Sequence, residues 1–260
     1  HIHAMLSKKI VKYIQSLSHK KLRDEQNSFI AEGPKVVREF LLSENFVSVM
    51  ICATSDWLSE NKNILSSISP GNIYEIDEVA LEKISQLKTP NKVVCVFEKK
   101  LMKMTPHLSN KLSLMLDDIQ DPGNLGTIIR IADWFGVDNV ICSENSVDCY
   151  NPKVVQATMG SLARVNIIYT SLISFVGKNK SVSVYAAALD GVPVSQLKGI
   201  SEGIIVIGNE SKGISDELMN IATQKITIPR YGKAESLNAA VATGIILGSL
   251  TPTPSQGEGN

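Results

Sequence analysis

The sequence is short of the residue types on which several common kinds of catalysis depend. Histidine occurs only at positions 1, 3, 19 and 107, which leaves a Ser–His hydrolase almost nothing to work with, and no G-x-S-x-G nucleophile motif occurs. The four cysteines form no C-x-x-C pair, and no histidine lies at metal-ligand spacing. They are Cys52, Cys95, Cys142 and Cys149. Three of these lie in or beside apolar runs, where cysteine usually serves as a small buried hydrophobe. We therefore expect a reduced, cytoplasmic protein without a zinc or other metal site.

Net charge and long apolar segments are missing as well. The chain has 26 Lys and Arg against 26 Asp and Glu, so its net charge gives no indication of nucleic-acid binding. No apolar stretch reaches the ~18 residues that a membrane helix needs, and we find no secretory signal, so we expect no membrane partner. Residues 1–4, ahead of Met5, are typical of an expression remnant.

The basic residues are nevertheless unevenly placed, because six of them precede the first acidic residue, Asp24. They are Lys8, Lys9, Lys12, Lys20, Lys21 and Arg23. A patch that meets phosphates and a solvated helix face both fit this run.

Apolar strands alternate with helices throughout the chain, which predicts the α/β class with a mainly parallel sheet covered on both faces. With 260 residues and 43% hydrophobic content, the chain is long enough for two modest domains, each with a core. The segment Glu98–Lys111 is polar, contains Pro106 and carries four lysines, which predicts a linker over 101–111. We expect domains over 5–100 and 112–250, followed by a disordered tail over 251–260, where Pro, Gly, Ser and Thr dominate.

The pattern of the second domain predicts six strands and four helices. The predicted strands are Ser113–Asp117, Asn139–Cys142, Val165–Tyr169, Val182–Ala187, Gly203–Ile207 and Lys225–Ile228. The predicted helices are Leu125–Phe135, Pro152–Leu162, Ser215–Ala222 and Leu237–Leu250.

Three Gly- and Asn-containing segments follow apolar runs in this domain, where ligands of α/β sheets bind. The first is Asp121 to Arg130, DPGNLGTIIR. Its glycines permit a tight turn, and Asn124 is placed to cap the next helix, whose first amides favour an anion. Arg130 among apolar neighbours needs paired acceptors. An ion pair with Asp133 or Glu210 is the structural alternative to a catalytic role.

The second segment is IGNESKG, from Ile207 to Gly213. Gly208 removes a side chain where the strand ends, and Glu210 lies at the mouth of the predicted site. An ordinary strand-to-helix loop would use the same glycines. The functional interpretation is that Gly208 admits a flat ligand and that Glu210 binds or orients a polar group.

The third segment joins Ile228-Pro229-Arg230 to Ser236-Leu237-Asn238. Pro229 ends its strand, since proline cannot donate to a sheet ladder. Ser236 is a natural helix cap, and Asn238 could simply be solvated. The helix that follows is small and apolar on most faces, which predicts that it is buried. No G-x-x-x-x-G-K-[ST] loop and no strand-linked G-x-G-x-x-G occurs, so the usual mononucleotide and dinucleotide sites are not expected.

Together, in this order and spacing, the three segments resemble the signature motifs of the SpoU (TrmH-like) branch of the SPOUT RNA methyltransferases. The resemblance covers roughly residues 114–250. It implies a deep trefoil knot in the carboxyl-terminal part, S-adenosyl-L-methionine as cofactor without a metal, and a homodimer. More weakly, Phe29 to Gly33 and the basic start resemble an L30e-like RNA substrate-binding domain.

The resemblance also implies which residues are catalytic and which line the cofactor. Arg130, Asn124, Glu210, Ser236 and Asn238 match the catalytic positions of the family. The positions that line the cofactor match Ala187, Gly208, Ile228, Leu237 and Asn238. Arg230 departs from the apolar residue that tends to follow Ile-Pro in relatives.

The implied reaction is methylation of a ribose 2′-hydroxyl in ribosomal or transfer RNA. The separate first domain favours structured RNA read by its shape, ribosomal more than transfer RNA. Arg130 serves as a general base in some accounts of the family, but arginine keeps its proton in proteins, so we favour charge stabilisation. Two alternatives remain: a non-catalytic RNA-binding protein with the same fold, and an enzyme that binds NAD or ATP. The sequence does not specify the nucleotide, nor a housekeeping or antibiotic-resistance role.

Overall fold

The computed structural model describes residues 6–100, 106–197 and 199–251. The chain divides into two compact units, His1–Leu101 with Asp148–Arg164, and Met102–Val147 with Val165–Asn260. The predicted tail from 252 onward and part of the predicted linker lie outside the described residues.

The segment Asp148–Arg164, expected within the second domain, belongs instead to the first unit. The reason is specific packing. Arg23 is 2% exposed and donates from its terminal nitrogen to Asp148 Oδ2 at 2.7 Å. The ring of Tyr150 lies 4.6 Å from that of Phe29. Arg23 is thus buried, whereas the five lysines of the basic run are exposed.

The helices and strands of the first unit alternate as predicted. Its helices are α1 Lys8–Ser16, α2 Lys20–Glu25, α3 Pro34–Leu42, α4 Ser55–Glu60, α5 Lys62–Leu65, α6 Glu78–Ile84 and α8 Pro152–Ala157. Its strands are β1 Ser28–Glu32, β2 Ser48–Ala53, β3 Ile73–Glu75 and β4 Val93–Glu98.

These four strands form a mixed sheet in the order β1-β4-β2-β3. β4 runs antiparallel to both β1 and β2, while β3 pairs parallel with β2. Apolar residues of α1, α6 and three strands form one core cluster, and Phe29, Phe40 and Phe97 pack as an aromatic group. Asp77 caps α6, accepting from Ala80 N at 2.7 Å.

The second unit contains the remaining elements. Its strands are β5 Leu112–Asp117, β6 Asn139–Cys142, β7 Asn166–Tyr169, β8 Val184–Pro193, β9 Gly203–Gly208 and β10 Gln224–Thr227. Its helices are α7 Pro122–Trp134, α9 Leu172–Lys178, α10 Asp216–Asn220 and α11 Ala239–Leu250.

All six strands are parallel, in the order β10-β8-β9-β5-β6-β7. Met115 and Val206 contribute to a core with residues of α9 and α10 on one face. Their strand neighbours Leu114 and Ile205 point to the opposite face and are also fully buried. A parallel sheet covered on both faces is therefore confirmed.

Three elements of this unit differ from the prediction. α9 was not predicted at all. β8 continues to Pro193 through an irregularity, since Lys225 pairs with Ala186 but the next residue pairs with Val192. Helix α11 is only half buried: Val241 is 51% and Ile245 is 39% exposed. Its outer face is apolar too, so composition could not distinguish the buried side.

No helix within the described ranges has the length and apolar character required to cross a membrane. The four cysteines are all buried, and none of them forms a disulfide. Burial raises the pKa of the Cys52 thiol to about 12 and that of Cys142 further, in keeping with their predicted role as small hydrophobes.

Candidate active site

The three motif segments emerge along one edge of the six-stranded sheet. β5 and β9 are paired in register up to Asp117 opposite Gly208. β8 is the other neighbour of β9, and β10 is the neighbour of β8. Because all these strands are parallel, their carboxyl ends meet at the same edge, where open α/β sheets bind ligands.

Helix α7 begins three residues earlier than predicted, which changes the role of Asn124. The N-cap is Asp121, whose carboxylate accepts from Asn124 N at 2.8 Å, and Pro122 occupies the first turn. Proline at this position is preorganised for a helix start. Asn124 is therefore not the cap, and its side chain is available for other partners.

The second segment folds back on itself directly after β9. Asn209 and Gly213 exchange two backbone hydrogen bonds, of 3.1 and 2.8 Å. A Cβ at Gly208 would lie 2.3 Å from the carbonyl carbon of Gly213. The space where a side chain of residue 208 would stand, predicted to admit a flat ligand, is thus filled by the loop's own backbone. Glycine is required at this position because any Cβ would clash.

This loop is tied to the end of β5 by polar contacts that the sequence did not reveal. Asn209 donates to the Asp118 carbonyl at 2.8 Å, and Asp117 accepts from Ser215 N at 2.8 Å. Lys212 Nζ lies 2.9 Å from Asp118 Oδ2. That hydrogen bond lowers the pKa of the Asp118 carboxyl. The first two segments are consequently held in a fixed relation.

The third segment ends where α11 begins, and its cap is Asn238 rather than Ser236. Asn238 Oδ1 accepts from the backbone amides of Ala240 and Val241, at 3.0 and 3.2 Å. These bonds satisfy two of the amides that a helix start leaves unpaired. Ser236 is exposed, and no side-chain hydrogen bond of its hydroxyl is found among the described residues.

A chain of hydrogen bonds between side chains joins all three segments. Asn124 Nδ2 donates to Glu210 Oε1, and Asn238 Nδ2 donates to Asn124 Oδ1 at 2.8 Å. The direction of each bond is determined, because an ionised carboxylate only accepts. Glu210 therefore orients the Asn124 amide, which orients Asn238, whose oxygen caps α11.

Arg130 is not part of the hydrogen-bonded chain Glu210–Asn124–Asn238. The residue is exposed, and within the described ranges its guanidinium makes no hydrogen bond or ion pair. The expected alternative, a pair with Asp133 or Glu210, is not formed. A cation on the surface of α7 remains available for an external anion.

Three of the predicted cofactor residues lie on, or directly after, three adjacent strands. Ala187 follows Ala186, which pairs with Val206 of β9, and Gly208 ends β9. Ile228 directly follows β10. These three residues are half-buried, while Leu237 is exposed in the loop before α11. Small and apolar surfaces thus lie beside the polar chain.

A cavity of about 360 Å³ lies between α7 and α11. Asn124 and Asn238 line one part, and Thr127, Ile131, Val241 and Ile245 line the rest. Thr127 and Ile131 were not predicted, although their spacing of three and seven residues from Asn124 places them on one helix face. Among the described residues, no group of three or more His, Cys, Asp or Glu side chains is arranged to hold a metal.

The fold is that of an α/β protein with a parallel sheet, and the motif segments form a candidate ligand site at the carboxyl edge of that sheet. Residues 111–248 match the model of the SpoU rRNA Methylase family, and residues 8–95 match the MRM3-like substrate binding domain. The chain belongs to the SpoU rRNA methylase family.

The relatives are similar over nearly their whole length. The 23S rRNA (guanosine(2553)-2′-O)-methyltransferase RlmP of Bacillus subtilis is 31% identical, over 91% of this chain and 94% of the relative. A putative RNA methyltransferase of the TrmH family from Porphyromonas gingivalis is 36% identical, with a TM-score of 0.83 over 95% and 98% of the two chains. The AdoMet-bound rRNA methyltransferase from Sinorhizobium meliloti is 32% identical, with a TM-score of 0.82 over 94% of each.

Proposed function

We propose that this protein transfers the methyl group of S-adenosyl-L-methionine to a ribose 2′-hydroxyl of structured RNA, ribosomal rather than transfer RNA. The observation that carries the proposal is the hydrogen-bonded chain Glu210–Asn124–Asn238, which joins three motif segments at the ligand edge of the sheet. Two relatives support it, since that of Bacillus subtilis is a 23S rRNA 2′-O-methyltransferase and that of Sinorhizobium meliloti is an rRNA methyltransferase with bound AdoMet.

The surroundings of the predicted cofactor residues fit an adenosine-containing ligand. Ala187 and Ile228 are half-buried, and Leu237 is exposed, so they offer apolar surface to the flat adenine base. Gly208 and Asn238 place backbone and amide groups beside that surface. When bound, the sulfonium supplies a methyl group that is already activated.

The protein's own residues then position the ribose and stabilise the negative charge that develops on it. Glu210, Asn124 and Asn238 hold a rigid set of polar groups, with Ser236 on the exposed side, to orient the ribose. The guanidinium of Arg130 keeps its proton, so its role is to stabilise negative charge on the 2′-oxygen and an adjacent phosphate rather than to abstract the proton. The exposure of Arg130 supports this role because RNA can reach it.

We also infer that the protein is a homodimer. The apolar outer face of α11 supports this inference, since Val241 is 51% and Ile245 is 39% exposed, and Ile131 of α7 lines the same cavity. Contiguous exposed apolar surface of this kind marks interaction sites. Light scattering should give twice the chain mass of 28.3 kDa, and Ile245→Glu should shift it to the monomer. A monomeric mass for the unaltered protein would contradict the inference.

The finer architecture is proposed from the family resemblance. The carboxyl-terminal part of the second unit forms a deep trefoil knot, and the first unit is an L30e-like domain that binds the RNA substrate. The mixed four-stranded sheet and the match to a substrate binding domain support the latter. Four cysteines without a disulfide support a cytoplasmic location, because reducing compartments preserve thiols.

Calorimetric titration with S-adenosyl-L-methionine, NAD and ATP tests the proposal. Selective binding of S-adenosyl-L-methionine, followed by transfer of its labelled methyl group to ribosomal RNA, is the expected result. Retention of RNA without methyl transfer would favour a non-catalytic RNA-binding protein. Selective binding of NAD or ATP would favour a different enzyme.

A further inference from the structure

The first unit contains a second cavity, of about 360 Å³, away from any residue assigned above. Its walls come from β1, from the segment after α6, and from α8. Ile30, Leu87 and Val155 provide apolar surface, and Glu32, Gln86 and Gln156 provide polar groups. The volume is at the small end of ligand sites, suited to one nucleoside rather than to a larger ligand.

Glu32 gives this cavity its chemical character. The residue is only 5% exposed. Its Oε1 accepts from Gln86 N at 2.9 Å, and its Oε2 accepts from the Ser85 hydroxyl. No cation pairs with it among the described residues. Each carboxylate oxygen can accept a further hydrogen bond, so the buried carboxylate retains capacity for a ligand that brings N–H donors.

We propose that this cavity binds one unstacked nucleobase of the RNA substrate, a base that carries an exocyclic amino group. The proposal rests on the proposed function, which supplies RNA as the ligand. Single-stranded bases are bound by apolar walls and by hydrogen bonds to their edges. The apolar walls contact the faces of the base, and Glu32 accepts from the amino group.

The glutamine side chains and a lysine at the edge of the cavity also suit a bound nucleotide. Gln86 and Gln156 offer both donors and acceptors to the remaining base edge. Lys153 lines the cavity and is exposed, which suits a phosphate of the bound nucleotide. Uracil fits less well, because it has no amino group and its one edge donor, N3–H, lies between two carbonyl oxygens that would approach the carboxylate.

Filling the cavity is the direct test. Ala157 lines it and is partly exposed, so Ala157→Phe occupies the space of a base without removing a polar group. Val79→Phe is the matched control, since Val79 is 59% exposed on α6 of the same unit. Thermal unfolding establishes that both variants are folded.

The probes are a ribosomal RNA preparation and the four nucleoside monophosphates, with the full-length chain. We expect Ala157→Phe to lower RNA affinity about tenfold or more, as loss of one bound base does, while Val79→Phe leaves it unchanged. AMP, CMP and GMP should bind more tightly than UMP, and Ala157→Phe should abolish this binding. Wild-type RNA affinity in folded Ala157→Phe, or equal binding of all four nucleotides, would overturn the proposal.

A second variant isolates the carboxylate. Glu32→Gln preserves size, and we expect it to remove the preference for amino-bearing nucleotides over UMP. An unchanged preference in the folded variant would exclude Glu32 as the recognising group. If the unaltered protein transfers no methyl group to RNA, the proposed function fails, whereas the nucleotide titrations still decide whether the cavity binds a base.

Discussion

Asn124 and Asn238 are 114 residues apart in the chain, yet Asn238 Nδ2 donates to Asn124 Oδ1 at 2.8 Å. The contact joins the first turn of α7 to the start of α11. The same Asn238 side chain caps α11 through its oxygen. One residue therefore has a structural role through Oδ1 and a site-building role through Nδ2, and the two roles can be separated.

Substitution of Asn238 by Asp and by Ala makes that separation. Asp keeps the capping oxygen but loses the donor to Asn124, so we expect nearly unchanged stability and a large loss of methyl transfer. Ala removes the cap as well and should lower the free energy of unfolding by about 1 kcal/mol. Urea unfolding and methyl-transfer assays measure the two effects. Full activity of Asn238→Asp would show that the donor is dispensable.

Gly208→Ala tests the steric requirement of the second motif. The new Cβ would overlap the backbone of Gly213, at 2.3 Å, and rigid backbone cannot move aside cheaply, so we expect destabilisation of about 1–3 kcal/mol. Gly232→Ala is the control, because no atom lies within 4 Å of its added Cβ. Equal unfolding free energies for the two variants would show that the loop is not closely packed at Gly208.

The buried pair Arg23–Asp148 should contribute strongly to the stability of the first unit. Arg23 also donates to the carbonyls of Leu17 and Ser18, at 3.0 and 2.9 Å. Asp148→Ala leaves a buried guanidinium without its carboxylate, which costs about 3–5 kcal/mol.

Chemical denaturation measures that loss against Glu25→Ala. Glu25 pairs with Lys21 on an exposed helix face at 3.9 Å, where a pair contributes about 0–1 kcal/mol. If Asp148→Ala is no more destabilising than Glu25→Ala, the segment Asp148–Arg164 is not held by this pair.

The stability of the protein should depend on Glu32 between mildly acidic and neutral pH. Burial raises the pKa of its carboxyl above the ordinary value of 4.5. The folded state therefore holds this proton more tightly than the unfolded state, and stability falls as pH rises from 4.5 through the folded pKa. Glu32→Gln lacks this titration. Between pH 4 and 7 the unaltered protein should lose stability relative to Glu32→Gln as the pH rises, and strictly parallel curves of unfolding free energy against pH would contradict the assignment.

The sequence predicted the α/β class and most strands because apolar runs in a parallel sheet are continuous and short. The sequence contained the residues that cap α7 and α11, but the predictions chose neighbouring residues as the caps. Asp121 followed by Pro122 is a stronger helix start than Asn124, and Asn238 caps α11 in place of Ser236. In both cases a plausible cap residue stood within three positions of the real one.

Other features depend on contacts that no local pattern encodes. The hydrogen bond from Asn124 to Glu210 spans 86 residues, so the motifs indicated the participants but not their pairing. The association of Asp148–Arg164 with the first unit depends on Arg23, which composition had placed in a surface patch. The exposed face of α11 has the same apolar composition as its buried face.

The central claim, 2′-O methyl transfer with Arg130 as the charge-stabilising group, is tested most directly by mapping 2′-O-methylated riboses. Ribosomal RNA is incubated with S-adenosyl-L-methionine and either the unaltered protein or Arg130→Ala. We predict that the unaltered protein methylates a ribose 2′-hydroxyl, and that Arg130→Ala does not, although it still binds the cofactor in calorimetry. Methylation by Arg130→Ala at the unaltered rate, or a methyl group on a base instead of a ribose, would contradict the account.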